Sequence, residues 1–213
     1  MIVNKSLTEG SLPSLLKIAN VCPIFKKNDR TKCANYRPIS LLSNISKIFE
    51  RIVYNRVESF LKDNDIIYQH QYGFRRKYST NHAVLSILEE VRQQLDKKNF
   101  SCGVFVDLEK AFDTVNHKIL IEKLNHYGIK GTPNQWFTSY IKNRSQSVTL
   151  DGILSEKLPV HCGVPQGSIL GPLLFLIYIN DMNKALKKCK VFQFADDTIL
   201  LYSNPDPKKI KRL

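Results

Sequence analysis

Two short apolar runs that end in aspartate constrain this chain more than any other feature. Residues 102–108 read CGVFVDL, and residues 190–202 read KVFQFADDTILLY. The first is a short run with β-branched residues and reads as a buried strand ending at Asp107. The second reads as a β-hairpin with Asp196 and Asp197 at its tip. Carboxylates are rarely buried unless they are paired or bind a metal. Two or three converging at one sheet edge repel each other unless a cation lies between them. Mg²⁺ takes a few carboxylates plus phosphate oxygens. Two such ions, about 4 Å apart, activate an attacking oxygen and stabilise a leaving one. The pattern therefore suits phosphoryl transfer. Spacing alone leaves a plain turn and a strand-end cap as the alternatives.

Around these runs the period is helical. Ser43-Asn44 offers a cap, followed by Ile45, Ile48, Phe49, Ile52, Val53, Val57 and Leu61, which predicts a helix over 43–62. Residues 79–98 repeat the pattern, with Ser79 or Thr80 as cap and Ala83, Val84, Ile87, Leu88, Val91 and Leu95 on one face. Further helices are predicted at about 117–127, closed by Gly128, at about 133–143 after Pro133, and at about 170–186. Residues 145–151 and 156–161 read as strands around the turn Asp151-Gly152. Residues 11–27 are mostly apolar, and Pro23 fits an edge strand or a strand start. Residues 28–37 read as a turn or flexible hairpin. No linker and no internal repeat is visible. The mixture predicts an α+β fold with a mostly antiparallel sheet.

A chain of 213 residues suits one domain or one domain plus a subdomain, and 43% hydrophobic with 24% charged residues excludes disorder over its length. The net charge of +13 is uneven: residues 1–62 hold eleven basic and four acidic residues. Such a surface attracts a polyanion. The five cysteines, at 22, 33, 102, 162 and 189, have no CxxC spacing and read as reduced thiols rather than a disulfide framework or zinc site. The longest apolar stretch, Ile169 to Ile179, is broken by Gly171-Pro172 and is too short to span a bilayer. No signal peptide is visible at the start, so the expected location is intracellular, in the nucleus or cytoplasm, with no membrane partner.

Five motifs then carry a family resemblance. FADD (194–197), followed by TILLY, resembles the metal-binding hairpin of reverse transcriptases. VDLEKAFDTVNH (106–117) resembles their first catalytic strand as it occurs in jockey-like and related non-LTR retrotransposons. GVPQGSILGPLLF (163–175) resembles their template-and-nucleotide loop. NYRPISLLSNISKIFERIV (35–53) and QYGFRRKYST (71–80) resemble their fingers motifs. The motifs stand in the family's order.

The resemblance implies a right-hand polymerase fold with an antiparallel palm sheet packed on helices. Fingers would span about 17–100 and palm about 101–203, after an N-terminal segment (1–16) and before a basic tail (204–213) that frays. It implies RNA-directed DNA polymerase activity: a primer 3′-OH attacks the α-phosphate of a dNTP on an RNA template with a DNA primer. Asp107, Asp196 and Asp197, with the Leu108 carbonyl, would hold two Mg²⁺ ions, Mn²⁺ being a substitute. Phe112 would gate against a ribose 2′-OH, whereas Asp113 belongs to the same motif without being a metal ligand. Gln166 and Gly167 would lie near the incoming nucleotide, Lys26, Lys27 and Arg37 at its triphosphate, and Arg75 and Arg76 on the template backbone. Only about ten residues follow Tyr202, so the thumb is expected to be missing, and residues 1–16 cannot hold the family's endonuclease. A catalytically inactive, nucleic-acid-binding remnant is the alternative. An unrelated basic RNA-binding protein would carry an RGFGFV-like strand, and the sequence has none.

Overall fold

Periodicity becomes helix where a cap and a buried stripe coincide. In the computed structural model, which describes residues 2–210, the order is α1 (Ile2–Glu9), β1 (Ile18–Phe25), β2 (Tyr36–Leu41), α2 (Asn44–Asp63), α3 (Thr80–Asp96), β3 (Phe100–Val106), α4 (His117–His126), α5 (Gly131–Ile141), β4 (Arg144–Leu150), β5 (Ile153–Leu154), β6 (Leu158–Val160), α6 (Leu170–Ile179), α7 (Met182–Ala185), β7 (Lys190–Phe194), β8 (Asp197–Asn204) and α8 (Pro207–Ile210). The chain divides into two compact units, residues 1–63 with 112–178 and residues 64–111 with 179–213. The units interleave in sequence, which is why no linker composition marks them.

The first unit holds the sheet β2-β1-β4-β5, with β6 also paired to β4. β1 pairs antiparallel with β2 and parallel with β4, and the other named strand pairs are antiparallel, in keeping with a mostly antiparallel sheet. Pro23 lies inside β1, opposite Pro38. The Lys26 N–H donates to the Asn35 carbonyl at 2.9 Å, and counting back from that pair makes Pro23–Pro38 a non-hydrogen-bonded pair. On the other side, β4 pairing stops at Val21, so the missing Pro23 N–H faces no ladder. α6 is buried nearly all round, with Leu170, Leu174 and Ile177 fully enclosed.

Two buried polar links tie this unit together. Glu50, on α2, accepts hydrogen bonds from the Tyr140 hydroxyl at 2.9 Å and the Ile169 N–H at 2.6 Å. Trp136 donates its Nε1–H to Ser6 Oγ at 3.0 Å. The N-terminal segment is thus a docked helix.

The second unit holds the antiparallel sheet β3-β8-β7 with α3 against it. Ala83, Ile87 and Val91 of α3 meet Tyr72, Phe192 and Leu201. Val84, Leu88 and Leu95 are exposed, as are Ile45 and Ile48 of α2, so the buried stripes are narrower than the apolar pattern. Ser79 caps α3 through a capping box closed by His82.

Three expectations are corrected. β3 is not a buried strand: it is an edge strand, and Phe105 is 79% exposed. The helix predicted over 170–186 is two helices. Past α6, the Asn180 side chain is committed to the Tyr68 N–H and the Ile66 carbonyl, both at 2.8 Å. The tail does not fray over its described part, since Asn204 and Asp206 side chains accept from the Asp206 and Lys208 N–H groups and start α8. Residues 211–213 lie outside the described residues.

Candidate active site

The three aspartates lie at the same end of the second unit's sheet. Phe194 pairs with Asp197, leaving Ala195 and Asp196 as a two-residue hairpin turn. Val106 pairs with Thr198 on the other side of β8, so Asp107 leaves β3 level with Asp197. Residues opposed across an antiparallel pair share one face of the sheet. Asp107 and Asp197 are exposed and Asp196 is half-buried. Asp196 also accepts a hydrogen bond from the Thr198 hydroxyl on its main-chain oxygen.

These donors are hard oxygens of the kind Mg²⁺ takes. Among the described residues, no three His, Cys, Asp or Glu side chains are gathered closely enough to hold a metal ion by themselves. Mg²⁺ is commonly bound by one or two carboxylates plus substrate phosphates rather than by an all-protein cage. The residues present therefore fit an ion that arrives with a triphosphate.

The other sequence-predicted nucleotide residues lie in the first unit. The Gly163 N–H donates to the Val115 carbonyl at 2.8 Å, and the Val164 N–H to that of Phe112 at 2.9 Å. His117 Nε2–H donates to the Gly163 carbonyl at 2.7 Å. Gln166 Nε2 donates to Asp113 Oδ1 at 3.0 Å. The 163–167 loop is thus zipped onto 112–117. Its far end closes on β2: Ser40 N–H donates to the Gln166 carbonyl at 2.7 Å, and a Cβ on Gly167 would sit 2.8 Å from the Ser40 oxygen. That contact, with a φ of +112°, requires glycine there. The half-buried Phe112 ring stacks on Phe175 at 4.7 Å between centroids, which fixes its orientation.

A cavity of about 350 Å³ opens beside this loop, lined by Pro38, Ser40, Asp113, Arg144, His161 and Gln166. Burial, with Arg144, His161 and Lys142 nearby, lowers the His117 pKa below its ordinary value, while the bond to Gly163 opposes the shift. Lys26, Lys27 and Arg37 are exposed around the β1–β2 hairpin.

Arg75 and Arg76 lie in the second unit. Arg75 turns inward, donating to the Gln71 carbonyl at 3.0 Å and lying over the Tyr78 ring at 4.4 Å. Arg76 is exposed. The sequence reading missed Gln71, a buried side chain at the aspartate turn. The signal for it was a glutamine in the QYGFRR motif, two residues before Gly73.

A carboxylate-tipped hairpin on an antiparallel sheet, with a glycine-proline loop carrying a glutamine, defines the class. Residues 24–212 match the reverse transcriptase (RNA-dependent DNA polymerase) family, and the chain belongs to it. Its relatives are polymerases of non-LTR retrotransposons. It is 33% identical to the probable RNA-directed DNA polymerase from transposon BS of Drosophila melanogaster, over 96% of this chain and 23% of that protein. It is 31% identical to the RNA-directed DNA polymerase from mobile element jockey of the same organism, over 94% of this chain and 23% of that protein. The chain therefore spans about a quarter of these relatives' length. Among solved structures, the apo telomerase of Candida tropicalis truncated from its C-terminal domain superposes with a TM-score of 0.66 at 15% identity, over 94% of this chain and 46% of that one. The fold is that of polymerase fingers and palm. Reverse transcriptases generally use divalent metal ions. No helix among the described residues is long and apolar enough to cross a membrane.

Proposed function

We propose that this chain carries the nucleotide-adding site of a retrotransposon RNA-directed DNA polymerase, with fingers over about 17–100 and palm over about 101–203. The observation that supports it is the register that levels Asp107 with Asp197, next to Asp196, in a chain of this family. Asp107, Asp196 and Asp197, with the Leu108 carbonyl, are the residues to hold two Mg²⁺ ions, and Mn²⁺ would serve in their place. Such ions supply charge neutralisation at the triphosphate and a lowered pKa at the attacking hydroxyl.

The chain's own residues bind and orient. Lys26, Lys27 and Arg37 attract the triphosphate, Arg as a fork and Lys as a point charge. Phe112, held by Phe175, sets a rigid ring under the sugar and leaves no room for a 2′-OH. Gln166 and Gly167 set the wall beside the incoming base. Arg76 contacts the template backbone, while Arg75 braces the segment that carries it through the Gln71 and Tyr68 carbonyls. The primer 3′-OH attacks the α-phosphate, the bond to the β-phosphate breaks, and pyrophosphate leaves. Catalysis here is positioning plus charge stabilisation.

Primer extension tests the reading: the purified chain, an RNA template with annealed DNA primer, dNTPs and Mg²⁺, beside an Asp196→Asn control. Extension lost in the control is the expected result. A second reading, a binding-only protein, draws on the basic excess over residues 1–62. It requires no extension together with salt-sensitive binding to the RNA–DNA hybrid.

A further inference from the structure

The turn that carries Asp196 holds an unusual residue. Ala195 occupies the first central position of the two-residue turn with φ +57°. Glycine is the usual occupant of such a position, because a Cβ disfavours the left-handed region. Something must hold Ala195 there. Gln71 is only 2% exposed, and its carboxamide reaches both main-chain groups of that residue. Its Oε1 accepts from the Ala195 N–H at 3.0 Å, and its Nε2 donates to the Ala195 carbonyl at 3.3 Å. The same Oε1 accepts from the Gly73 N–H at 2.8 Å.

The segment bearing Gln71 is itself anchored. The Gln193 N–H donates to the His70 carbonyl at 2.9 Å, and the Tyr72 N–H to the Gln193 carbonyl at 2.8 Å. Residues 70–72 thus run parallel beside β7 as a short extra strand. Where that ladder ends, the Gln71 side chain extends it onto the turn. Gly73 completes the fit, since a Cβ there would lie 2.1 Å from the Ala195 nitrogen. Arg75 braces the segment from behind through the Gln71 and Tyr68 carbonyls.

We infer that Gln71 is a positioning residue for nucleotide addition, clamping Ala195 so that the adjoining Asp196 and Asp197 keep a fixed direction. It acts through the backbone of the turn. The inference rests on the function proposed above and adds a role that none of the five motifs assigns. A carboxylate set that is otherwise without a cage depends on such a clamp, because a displacement of about 1 Å at a reacting centre costs on the order of 100-fold in rate.

The test compares the full chain with Gln71→Met, which keeps the volume and loses the hydrogen bonds. Two readouts are taken: the kcat and KM for dNTP in primer extension, and hydrogen exchange at the Ala195 amide. A folded Gln71→Met chain is expected to lose roughly 10- to 100-fold in kcat, with KM within about 2-fold. It is expected to exchange Ala195 faster while the α3 amides stay protected. Ala195→Gly in the Gln71→Met background should recover part of the kcat. Unchanged kcat and unchanged Ala195 exchange in a folded Gln71→Met chain would overturn the inference. If the wild-type chain extends no primer, the functional reading fails on that result alone, and exchange still decides the clamp. If Gln71→Met does not fold, wild-type exchange decides. An Ala195 amide protected despite its place at a hairpin tip supports the clamp, and one that exchanges as a free turn amide overturns it.

Discussion

Replacing Glu50 with alanine should unfold the first unit at much lower denaturant. Glu50 is wholly buried, and its two oxygens serve the Tyr140 hydroxyl and the Ile169 N–H, joining α2 to α5 and to the start of α6. Truncation removes the acceptor of the buried Tyr140 hydroxyl and of the part-buried Ile169 N–H, and each loss costs about 1–3 kcal/mol. The sum is about 2–6 kcal/mol, a large share of the roughly 5–15 kcal/mol a domain holds in total. With a urea slope of roughly 2 kcal/mol per molar, the midpoint falls by about 1–3 M. Trp136 is the only tryptophan and stacks on Tyr140, so its fluorescence reports this unit. Burial raises the Glu50 pKa above its ordinary value, against the opposing pull of its hydrogen bonds and Arg144. A raised folded pKa means that the folded state binds the proton more tightly. This contribution to stability is therefore full below the ordinary carboxyl range and is lost as pH rises through the raised value. Glu50→Gln should flatten that part of the pH profile. A Glu50→Ala midpoint within about 0.5 M of wild type would refute the reasoning.

Gly163→Ala places a Cβ 2.9 Å from the Asp113 oxygen at a φ of +86°. It should cost at least about 2 kcal/mol in urea unfolding, since handedness strain and backbone displacement add. Phe112→Val should relax rejection of rNTPs by about 10-fold or more, read as the ratio of rNTP to dNTP incorporation in primer extension. Lys26→Ala with Lys27→Ala should raise the KM for dNTP by about 10-fold with kcat within about 2-fold, read in primer extension, because the two charges would act on the bound triphosphate.

Local rules carried the sequence reading far and stopped where distant residues decide. Ser43 accepts from the Ser46 N–H, as its position predicts, and the structure adds Asn116 as the cap of α4. The aspartate hairpin was legible because its two apolar runs and its turn are contiguous. The register that brings Asp107 level with it was not legible from spacing, only implied by the resemblance, because it depends on a ladder between residues about a hundred apart. CGVFVDL reads as buried because composition does not tell a central strand from an edge strand. The break after α6 follows from Asn180 meeting Ile66 and Tyr68, more than a hundred residues earlier. Gly167 illustrates a subtler loss. The resemblance put it near the incoming nucleotide, but the group its Cα packs against is the Ser40 backbone, which only the fold supplies.

The edge position of β3 has a practical consequence at the bench. Its seven residues, FSCGVFV, contain no charge and no proline, and among the described residues only β8 pairs with it. Phe100, Val104 and Phe105 stand outward on it. Such an edge is a template for a strand from another molecule. The net charge of +13 keeps whole molecules apart at low ionic strength, but added salt screens that repulsion and leaves the edge uncovered. Raising salt to wash away bound nucleic acid during purification would then favour precipitation through β3. A lysine in place of Phe105, the most exposed side chain of the strand, is the change that would keep the chain in solution.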